Sequence, residues 1–322
     1  MNNKKKSKIP KILLIFVPII IVLGFYYYYY NIYMQGNIDD IFKVTEPRDE
    51  TKEKLKEIGY SDGEVAIIKK LSDINISIIK TLEYNEQLIE ILEERYFIED
   101  KILDYLDYKD NNEEKDIREI VERVNTNRHY DFYTNIEETD LSKGILIISN
   151  KYYKLPENFE PDNLTNLEPY YGIGSLAGVA HDAFLKMHSA ASDENLRLYA
   201  TSTYRDYSHQ ERLYTNYAAS RGKEEADTFS ARAGHSEHQT GLALDFIEPG
   251  STLRDFGNTN EFEWLAENAH KYGFILRYPE DKVDITGYIY EPWHYRYVGV
   301  EVATYIFENE ITFDEYYAVY VK

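Results

Sequence analysis

Two short stretches of the sequence carry side chains that together could hydrolyse a peptide bond. The first stretch contains His238 and Asp245, and the second contains Glu291 and His294. A hydrolytic zinc site uses three nitrogen or oxygen ligands from the protein and keeps its fourth position for water, whose pKa the metal lowers. A carboxylate outside the ligand set can then accept a proton from that water. These residue types predict one zinc ion bound by His238, Asp245 and His294, with Glu291 as the catalytic base.

The spacing of these residues leaves a simpler interpretation open. The patterns H-x6-D and E-x2-H differ from the zincin helix H-E-x-x-H, which places two histidines on one helix face. A surface histidine, a structural aspartate and a glutamate at a cleft rim would give the same letters. His235 is a rival ligand, but Gly234 and Ser236 beside it favour a loop. We therefore interpret His235 as either a buried neighbour of the site or a solvated side chain.

Convergence of the four side chains requires a bend in each stretch. Side chains three residues apart point to opposite faces of an extended segment, so Glu291 and His294 would diverge there. Pro292 favours a bend between them because it removes a backbone donor and restricts the residue before it. Gly241, between the first two ligands, permits the turn that the first stretch needs.

Several blocks of the sequence resemble, in the same order, the VanY-type D-alanyl-D-alanine carboxypeptidase family, which includes L,D-carboxypeptidases of bacterial cell walls. Together they extend over about residues 145–310. Several spaced blocks in one order are far more specific than any single motif. The blocks are NKYYKLP (150–156), STYR (202–205), SEHQTGLALD (236–245), GFILRYP (273–279), TG (286–287) and EPWHYRYVG (291–299).

The resemblance implies a zinc-dependent peptidase in which an antiparallel sheet is flanked by helices. It implies that His238, Asp245 and His294 bind zinc, that Glu291 is the catalytic base and that Arg205 contacts the substrate. A guanidinium fork suits this last role, because it can bind the free carboxylate at the end of a peptide through two hydrogen bonds. The alternative for any single arginine in so acidic a chain is a surface ion pair.

Gln210 and Ser236 are further candidates for substrate binding. Gln210 follows Arg205 by five residues and could lie on the first turn of the next helix, where its amide could bond the peptide. Ser236 stands beside the ligand stretch. Capping of a nearby helix is an equally good interpretation of both residues.

The composition excludes several other chemistries. The chain has 322 residues and no cysteine, which rules out disulfides, cysteine-ligated zinc, iron–sulfur clusters and a thiol nucleophile. Its net charge is −21, so we expect no nucleic acid partner, because phosphate binding depends on Lys and Arg. At about 150 residues per domain, the length allows roughly two folded units.

The N-terminal region predicts a membrane anchor. Five lysines lie within residues 1–11, and the 19 residues from 12 to 30 carry no charge. A helix of that length nearly crosses a hydrocarbon core of about 30 Å. We therefore expect a cytoplasmic basic tail at 1–11, a single-pass anchor at 12–34 and the remaining chain on the outer side of the cell membrane. A cleaved signal peptide is the alternative, but the run is long and lacks a small-residue cleavage site.

Residues 35–140 predict a helical stalk. Apolar residues recur mostly at steps of three and four through residues 67–92, and Ser61 with Glu64 fits a capping box. A small bundle that spaces the next domain from the membrane is one interpretation. A partner-binding coiled coil is the other, although the pattern is not a strict heptad. The sequence identifies no partner for this stalk.

The complete pattern predicts an α+β fold in which the zinc carboxypeptidase domain occupies residues 141–322. Within it, residues 145–149 (ILIIS) predict a short strand. The activity that the resemblance implies is removal of terminal D-alanine from peptidoglycan stem peptides, by D,D- or L,D-cleavage. The alternatives are a peptidoglycan endopeptidase and a non-catalytic wall-binding protein on the same fold.

Overall fold

The computed structural model describes residues 49–322 apart from 249 and 251, together with residues 23, 24, 26 and 27. The predicted basic tail at 1–11 lies outside the described residues, as does the predicted anchor at 12–34 except for those four positions. Across the described part of the chain, no helix is both long and apolar enough to span a membrane. The anchor and its orientation stay predictions.

Helices run through the predicted stalk from Glu50 to Asn125, as the sequence indicated, but a two-residue strand at Glu137–Glu138 lies within its last residues and pairs with Tyr153–Lys154. The α-helices of the stalk have seven to nine residues each. Ser61 and Glu64 form the predicted capping box, since the backbone N–H of each donates to the side chain of the other, at 2.7 and 3.3 Å. These helices are α1 (Glu50–Ile58), α2 (Asp62–Ile68), α3 (Asp73–Ile79), α4 (Glu86–Glu93), α5 (Ile102–Asp110) and α6 (Ile117–Asn125).

The rest of the chain combines short strands with longer helices. Capping residues set several helix ends: Asp206, for example, accepts a hydrogen bond from the His209 backbone at 2.6 Å. The helices are α7 (Gly178–Asp193), α8 (Tyr207–Arg221), α9 (Lys223–Ala226), α10 (Asn260–Asn268), α11 (Val283–Thr286), α12 (Val300–Asn309) and α13 (Phe313–Tyr320). The strands are β1 (Glu137–Glu138), β2 (Tyr153–Lys154), β3 (Leu164–Asn166), β4 (Ser175–Ala177), β5 (Ala200–Ser202), β6 (Ala243–Phe246), β7 (Phe274–Leu276) and β8 (His294–Tyr297).

The central sheet has the strand order β5-β6-β8-β7, and each neighbouring pair in it is antiparallel. Strands β3 and β4 form a separate antiparallel pair, and β1 and β2 form a short parallel one. Helices α7, α10 and α12 all pack against the 3₁₀-helix Ala269–Tyr272, which in turn packs on β7 of this sheet. The predicted mixture of helices with an antiparallel sheet is therefore confirmed.

Alternation along the strands separates a core face from a site face. Leu244 and Phe246 of β6 and Tyr295 of β8 enter the main hydrophobic core. Asp245 and His294 lie next to them in sequence and therefore point to the opposite face, because successive strand side chains alternate. Burial of each large apolar side chain contributes about 1.5–3 kcal/mol. The register that buries this core also fixes where the two polar side chains point.

The predicted strand at residues 145–149 is wrong. A 3₁₀-helix occupies Leu141–Leu146, and the residues that follow it pair with no strand. The backbone carbonyls of Ile145 and Ile147 accept hydrogen bonds from Arg296 Nη2 at 2.9 and 2.7 Å. A side chain, rather than a neighbouring strand, satisfies the carbonyls of this apolar run.

The chain divides into two compact units between Val65 and Ala66. Within the second unit, helix α6 packs on helix α13, and Arg123 of α6 forms an ion pair with Asp284. Helices of the predicted stalk therefore share one unit with the strands. The boundary at residue 140 stays a prediction about where the catalytic part begins.

Candidate active site

Three side chains from separate segments meet on the site face of the sheet. Asp245 of β6 and His294 of β8 are register partners, and Asp245 Oδ1 lies 2.9 Å from His294 Nδ1. His238 Nε2 lies 3.4 Å from the same oxygen. One donor atom from each residue falls within 4.8 Å of the others, and all three residues are buried. The structure thus brings together the three predicted metal ligands.

A tight turn carries His238 into this position. The 3₁₀-helix Glu237–Thr240 ends at Gly241, whose φ of +66° lies in the left-handed region that favours glycine. A Cβ at this position would lie 3.1 Å from the backbone nitrogen of Ala177. The chain then enters β6, which places Asp245 beside His238. The turn that the sequence predicted at Gly241 is confirmed.

A backbone contact of His238 determines which of its ring nitrogens faces the cluster. Its Nδ1 lies 2.7 Å from the carbonyl oxygen of Thr203, which can only accept a hydrogen bond. The proton therefore resides on Nδ1, and the lone pair of Nε2 is directed toward Asp245. Such outer hydrogen bonds commonly orient histidine ligands in metal sites.

A β-turn brings Glu291 next to the cluster. The backbone N–H of His294 donates to the carbonyl of Glu291 at 3.1 Å, with Pro292 at the second turn position, where proline is favoured. The predicted bend at Pro292 is confirmed. Glu291 is 6% exposed and lines the same cavity as the three donors. Its carboxylate is not one of the donor atoms that meet in the cluster.

The charges of the three donors depend on one another. Burial lowers the pKa of His238 to about 4, so its ring is neutral at pH 7. Burial also acts to lower the pKa of His294, but the interactions with Asp245, Glu237 and Glu291 together outweigh it and raise that pKa to about 9. Burial opposes ionisation of Asp245, yet the two histidines hold its pKa well below the usual range. In the metal-free chain, one proton therefore lies between His294 and Asp245, and a bound cation must displace it.

Glu291 is held between opposing influences. Burial raises its pKa to about 8, with the nearby charge of Asp245 acting in the same direction and that of His294 against it. A divalent cation at the three donors would favour the ionised carboxylate, because an opposite charge nearby lowers the pKa of an acid. The site can thus supply a carboxylate whose proton affinity is close to that of a general base working near neutral pH.

The donor set fits zinc. Ligand atoms about 2.0–2.2 Å from a tetrahedral zinc ion lie about 3.3–3.6 Å from one another. The His238 and Asp245 donor atoms are 3.4 Å apart. Two imidazoles and one carboxylate, without thiolates, are typical of catalytic zinc sites that keep one position open. Such an ion would give these buried nitrogen and oxygen atoms, which converge on one point, a common binding partner.

Arg205 lies in the same cavity, beside the donors. Its backbone N–H donates to the His238 carbonyl at 3.2 Å. Its side-chain Nε is buried without a hydrogen-bond partner, and burial lowers the pKa of the guanidinium. Within the described ranges it forms no ion pair, so the surface ion pair that the sequence left open is not observed. The Arg205 side chain is half-buried, and a cation whose buried Nε has no partner suits an anionic ligand.

Gln210 and Ser236 also line the cavity. Gln210 is the fourth residue of helix α8, and its Nε2 donates to the Ala231 carbonyl at 2.7 Å. Its Oε1 is buried and has no partner. Ser236 precedes the 3₁₀-helix that carries His238 and makes no capping hydrogen bond to it. Neither side chain caps a helix, and their roles in substrate binding stay predictions.

His235 is buried apart from the donors. Its Nδ1 lies 2.7 Å from the backbone carbonyl of Asn150, and the ring of Tyr133 meets it edge-on at 5.0 Å. The side chain is 4% exposed. Of the two interpretations that the sequence allowed for His235, the structure favours a buried residue outside the ligand set.

Glu237 is a residue of the site that the motif pattern did not single out. Its Oε1 accepts hydrogen bonds from Arg277 Nε at 2.9 Å and Arg296 Nη1 at 3.0 Å. Its Oε2 lies 3.6 Å from His294 Nε2. The signal in the sequence was the pair of arginines within apolar strand segments, because a buried charge requires a counter-charge nearby.

Tyr133 of the predicted stalk supports one wall of the cavity from behind. Its hydroxyl accepts a hydrogen bond from the Arg232 backbone at 3.4 Å, and its ring lies 3.7 Å from the Arg232 guanidinium carbon. Lys151 Nζ lies 5.0 Å from the same ring. Residue periodicity could not have indicated this contact, because it joins positions about a hundred residues apart.

The cavity above the donors has a volume of about 250 Å³. Aromatic side chains, including Tyr217, Phe229 and Tyr288, line it together with the charged groups described above. The lining thus combines apolar surface with many convergent polar and charged groups, which suits a small ligand that is itself charged.

Comparisons with known proteins agree with this geometry. A family model described as D-alanyl-D-alanine carboxypeptidase, VanY, matches residues 174–300. The protein YodJ of Bacillus subtilis (strain 168) is 40% identical over 191 residues, which are 56% of this chain and 70% of YodJ. A D-alanyl-D-alanine carboxypeptidase of Enterococcus faecium is 33% identical over 216 residues, covering 64% of this chain and 67% of that protein.

A solved structure is also similar to this chain. The LdcB LD-carboxypeptidase, described in terms of peptidoglycan recognition, superposes with a TM-score of 0.54 at 39% sequence identity. The match covers 58% of this chain and 91% of that one. The similarity therefore includes nearly all of the LdcB chain and leaves a large part of the present chain unmatched.

Proposed function

This chain belongs to the VanY-type D-alanyl-D-alanine carboxypeptidase family, and from that premise we propose that it is a zinc-dependent carboxypeptidase that removes terminal D-alanine from peptidoglycan stem peptides. The observation that carries the proposal is the convergence of His238, Asp245 and His294 within 4.8 Å. An unligated Glu291 and an unpaired Arg205 line the same cavity.

The proposed reaction assigns the proton transfer to Glu291. Water adds to the carbonyl carbon that precedes the terminal D-alanine, and the C–N bond to D-alanine breaks. Glu291 accepts a proton from the water and returns it to the leaving amine, so the products are D-alanine and a peptide with a new carboxylate. A zinc ion at the three donors would supply the Lewis acidity that polarises the carbonyl and acidifies the water.

Arg205 is proposed to recognise the carboxylate of the terminal residue. The buried and unpartnered Nε of Arg205 suits an anion, and a guanidinium can bind a carboxylate bidentately. The unpartnered Gln210 Oε1 is placed to accept an N–H of the peptide from the same cavity. Recognition of a free terminus is what distinguishes a carboxypeptidase from an endopeptidase.

The direct test is release of D-alanine by the purified full-length chain from defined tetra- and pentapeptides, followed by mass spectrometry. Release should stop after chelation and return when zinc is restored, since the donors need the ion to act. The length of the preferred peptide will separate L,D- from D,D-cleavage. Absence of D-alanine release with any divalent metal would contradict the proposal.

The same assay with amidated peptides tests the endopeptidase alternative. Amidation of the C-terminus should lower kcat/KM by about 10- to 100-fold, the equivalent of about 1.5–3 kcal/mol for a charge-assisted hydrogen bond. The Arg205→Lys variant should have a lower kcat/KM for the free acid. Amidation of the peptide should lower the kcat/KM of this variant little further, because the bidentate contact is already lost. Equal cleavage of acid and amide would favour an endopeptidase.

We also propose that the chain is held at the cell membrane by residues 12–34, with the site on the outer side. The support is the order of the sequence, with five lysines before an uncharged run. After alkaline washing, membrane fractions should retain the full-length chain. A chain that starts at residue 35 should be released by the same treatment. Equal release of both chains would exclude the anchor.

A further inference from the structure

The two ring nitrogens of His294 face different carboxylates. Its Nδ1 faces Asp245, while its Nε2 is buried and has no hydrogen-bond partner. A buried ring N–H without an acceptor is costly, because it has lost its hydrogen bond to water. The partner that the structure offers is Glu237, whose Oε2 lies 3.6 Å away and is itself buried and unpartnered.

Glu237 is held in place by two arginines. Its Oε1 accepts from Arg277 Nε at 2.9 Å and from Arg296 Nη1 at 3.0 Å, and all three side chains are buried. Both contacts fall on the same oxygen, which leaves the other oxygen directed at His294. Two fixed cations on one side of a carboxylate restrict its rotation, so the free oxygen has a defined position.

The network continues away from the site. Arg277 Nη1 donates to Asp314 Oδ2 at 2.5 Å, and Asn150 Nδ2 donates to Asp314 Oδ1 at 2.7 Å. Asp314 belongs to helix α13, so the far end of the network rests on the last helix of the chain. Asp314 provides a matched control, because it shares the network with Glu237 but does not approach His294.

We propose that Glu237 is a positioning residue that fixes the tautomer and ring orientation of His294. In this proposal the 3.6 Å gap closes when the metal binds, so that Oε2 accepts the Nε2–H of His294 and Nδ1 is left as the metal-binding atom. His238 has the opposite arrangement, because its Nδ1–H is bound to Thr203 and its Nε2 faces the cluster. The two histidines therefore bind through different ring nitrogens. The inference rests on the proposed zinc function.

The test is the zinc affinity of the full-length chain, measured by competition with a chromophoric chelator. Glu237→Gln should weaken zinc binding about 10- to 100-fold, the usual cost of losing an outer partner of a histidine ligand. Asp314→Asn removes a buried partner of the same network and should leave the affinity within about threefold of the parent chain, since it makes no contact with His294.

Each outcome decides between distinct conclusions. Unchanged affinity in Glu237→Gln, or an equal loss in both variants, overturns the role of Glu237 while the proposed function stands. A parent chain that binds no zinc overturns both. Because Glu237→Gln could prevent folding, Glu237→Asp is a second variant. It keeps the charge for the arginines but is one methylene too short for His294, so we expect it to fold and still bind zinc more weakly.

A measurement on the unaltered chain completes the test. Long-range proton–nitrogen NMR of the zinc-loaded chain, labelled at histidine nitrogens, reports which ring nitrogen carries a proton. We expect the proton on Nε2 of His294 and on Nδ1 of His238. A proton on Nδ1 of His294, with zinc on Nε2, would overturn the inference without any mutation.

Discussion

At the scale of single residues, Glu291 differs from the donors in what surrounds it. It is buried and lines the cavity, yet its side chain makes no hydrogen bond to the described residues. Burial raises its pKa to about 8. A carboxylate whose proton affinity is raised in this way can both accept a proton and return it, which is the requirement for a general base that later acts as an acid.

Replacement of Glu291 by Gln should therefore separate catalysis from metal binding. We expect kcat to fall by about 10²–10⁴-fold, the usual contribution of general acid–base catalysis, while zinc content stays the same because Glu291 is not a donor. D-alanine release and bound zinc should be measured on the same preparation. Loss of zinc together with activity would instead make Glu291 a ligand.

His235 gives a residue-scale prediction about pH. Burial lowers its pKa to about 4 in the folded chain, whereas an unfolded histidine titrates near 6.5. As pH falls below about 6.5, the unfolded chain binds a proton that the folded chain does not, so stability decreases until about pH 4. Between pH 7 and pH 5, this group alone should lower the free energy of unfolding by about 2 kcal/mol.

The matched variant is His235→Asn, whose amide can still donate to the Asn150 carbonyl but does not titrate. Urea unfolding of the metal-free chain at both pH values isolates the contribution, because other acids titrate equally in the two proteins. The variant should lose about 2 kcal/mol less than the parent between these pH values. Identical losses would show that His235 does not govern acid stability.

At the scale of elements, strand register decides the geometry of the site. Asp245 and His294 are direct partners in the β6–β8 ladder, and a shift by one residue would send each to the core face. Phe246 and Tyr295, on that core face, pack together at a ring distance of 5.5 Å. The hydrophobic face therefore fixes the position of two candidate metal ligands on the opposite face of the sheet.

The turn between the first two ligands gives the prediction at this scale. Gly241→Ala should destabilise the fold by about 1–3 kcal/mol, because a left-handed backbone with a Cβ costs energy and that Cβ would lie 3.1 Å from Ala177 N. Zinc affinity should fall as well, since the turn places His238. Thermal unfolding and chelator competition measure the two effects.

A glycine nearby serves as the control. Gly178 begins helix α7, its φ is not positive, and a Cβ there would meet its nearest neighbour at an ordinary 3.5 Å. Gly178→Ala should be neutral or stabilise by up to about 1 kcal/mol and leave zinc binding unchanged. If both variants behaved alike, the backbone conformation of Gly241 would not be what matters.

At the scale of the molecule, the segment before the sheet contributes to the catalytic region. Phe132 covers Gly287, where an added Cβ would lie 2.3 Å from its ring, and Tyr133 packs on Arg232. Lys151 is 1% exposed, and its Nζ lies 3.9 Å from the ring centre of Tyr288, which lines the cavity. These contacts tie residues of the predicted stalk to the wall of the site.

Truncation tests whether residue 140 is a true domain boundary. A chain that starts at residue 141 should be less stable than one that starts at residue 66 by about 3 kcal/mol or more, the value of burying two aromatic side chains. Urea midpoints and D-alanine release should be compared for the two chains. Equal stability and activity would support the boundary predicted from the sequence.

Residue types and local order determined much of this protein before any fold was known. The two histidines, the aspartate and the glutamate could be selected because their types suit a zinc-dependent hydrolase and because they stand in motif blocks that resemble one family. Pro292 and Gly241 indicated the bends that these residues need. The capping box at Ser61 also depends on neighbours within one turn. Interactions between residues this close in the chain can be recognised from the sequence.

Tertiary structure alone decided the features that join distant positions. Asp245 and His294 are 49 residues apart and meet through a strand ladder. Three features depend on which surfaces pack together: the position of Glu237 between two arginines, the burial of His235, and the hydrogen bonds from Arg296 to the carbonyls of Ile145 and Ile147. Local sequence cannot encode these outcomes, because burial and charge pairing are set by the sum of contacts from remote segments.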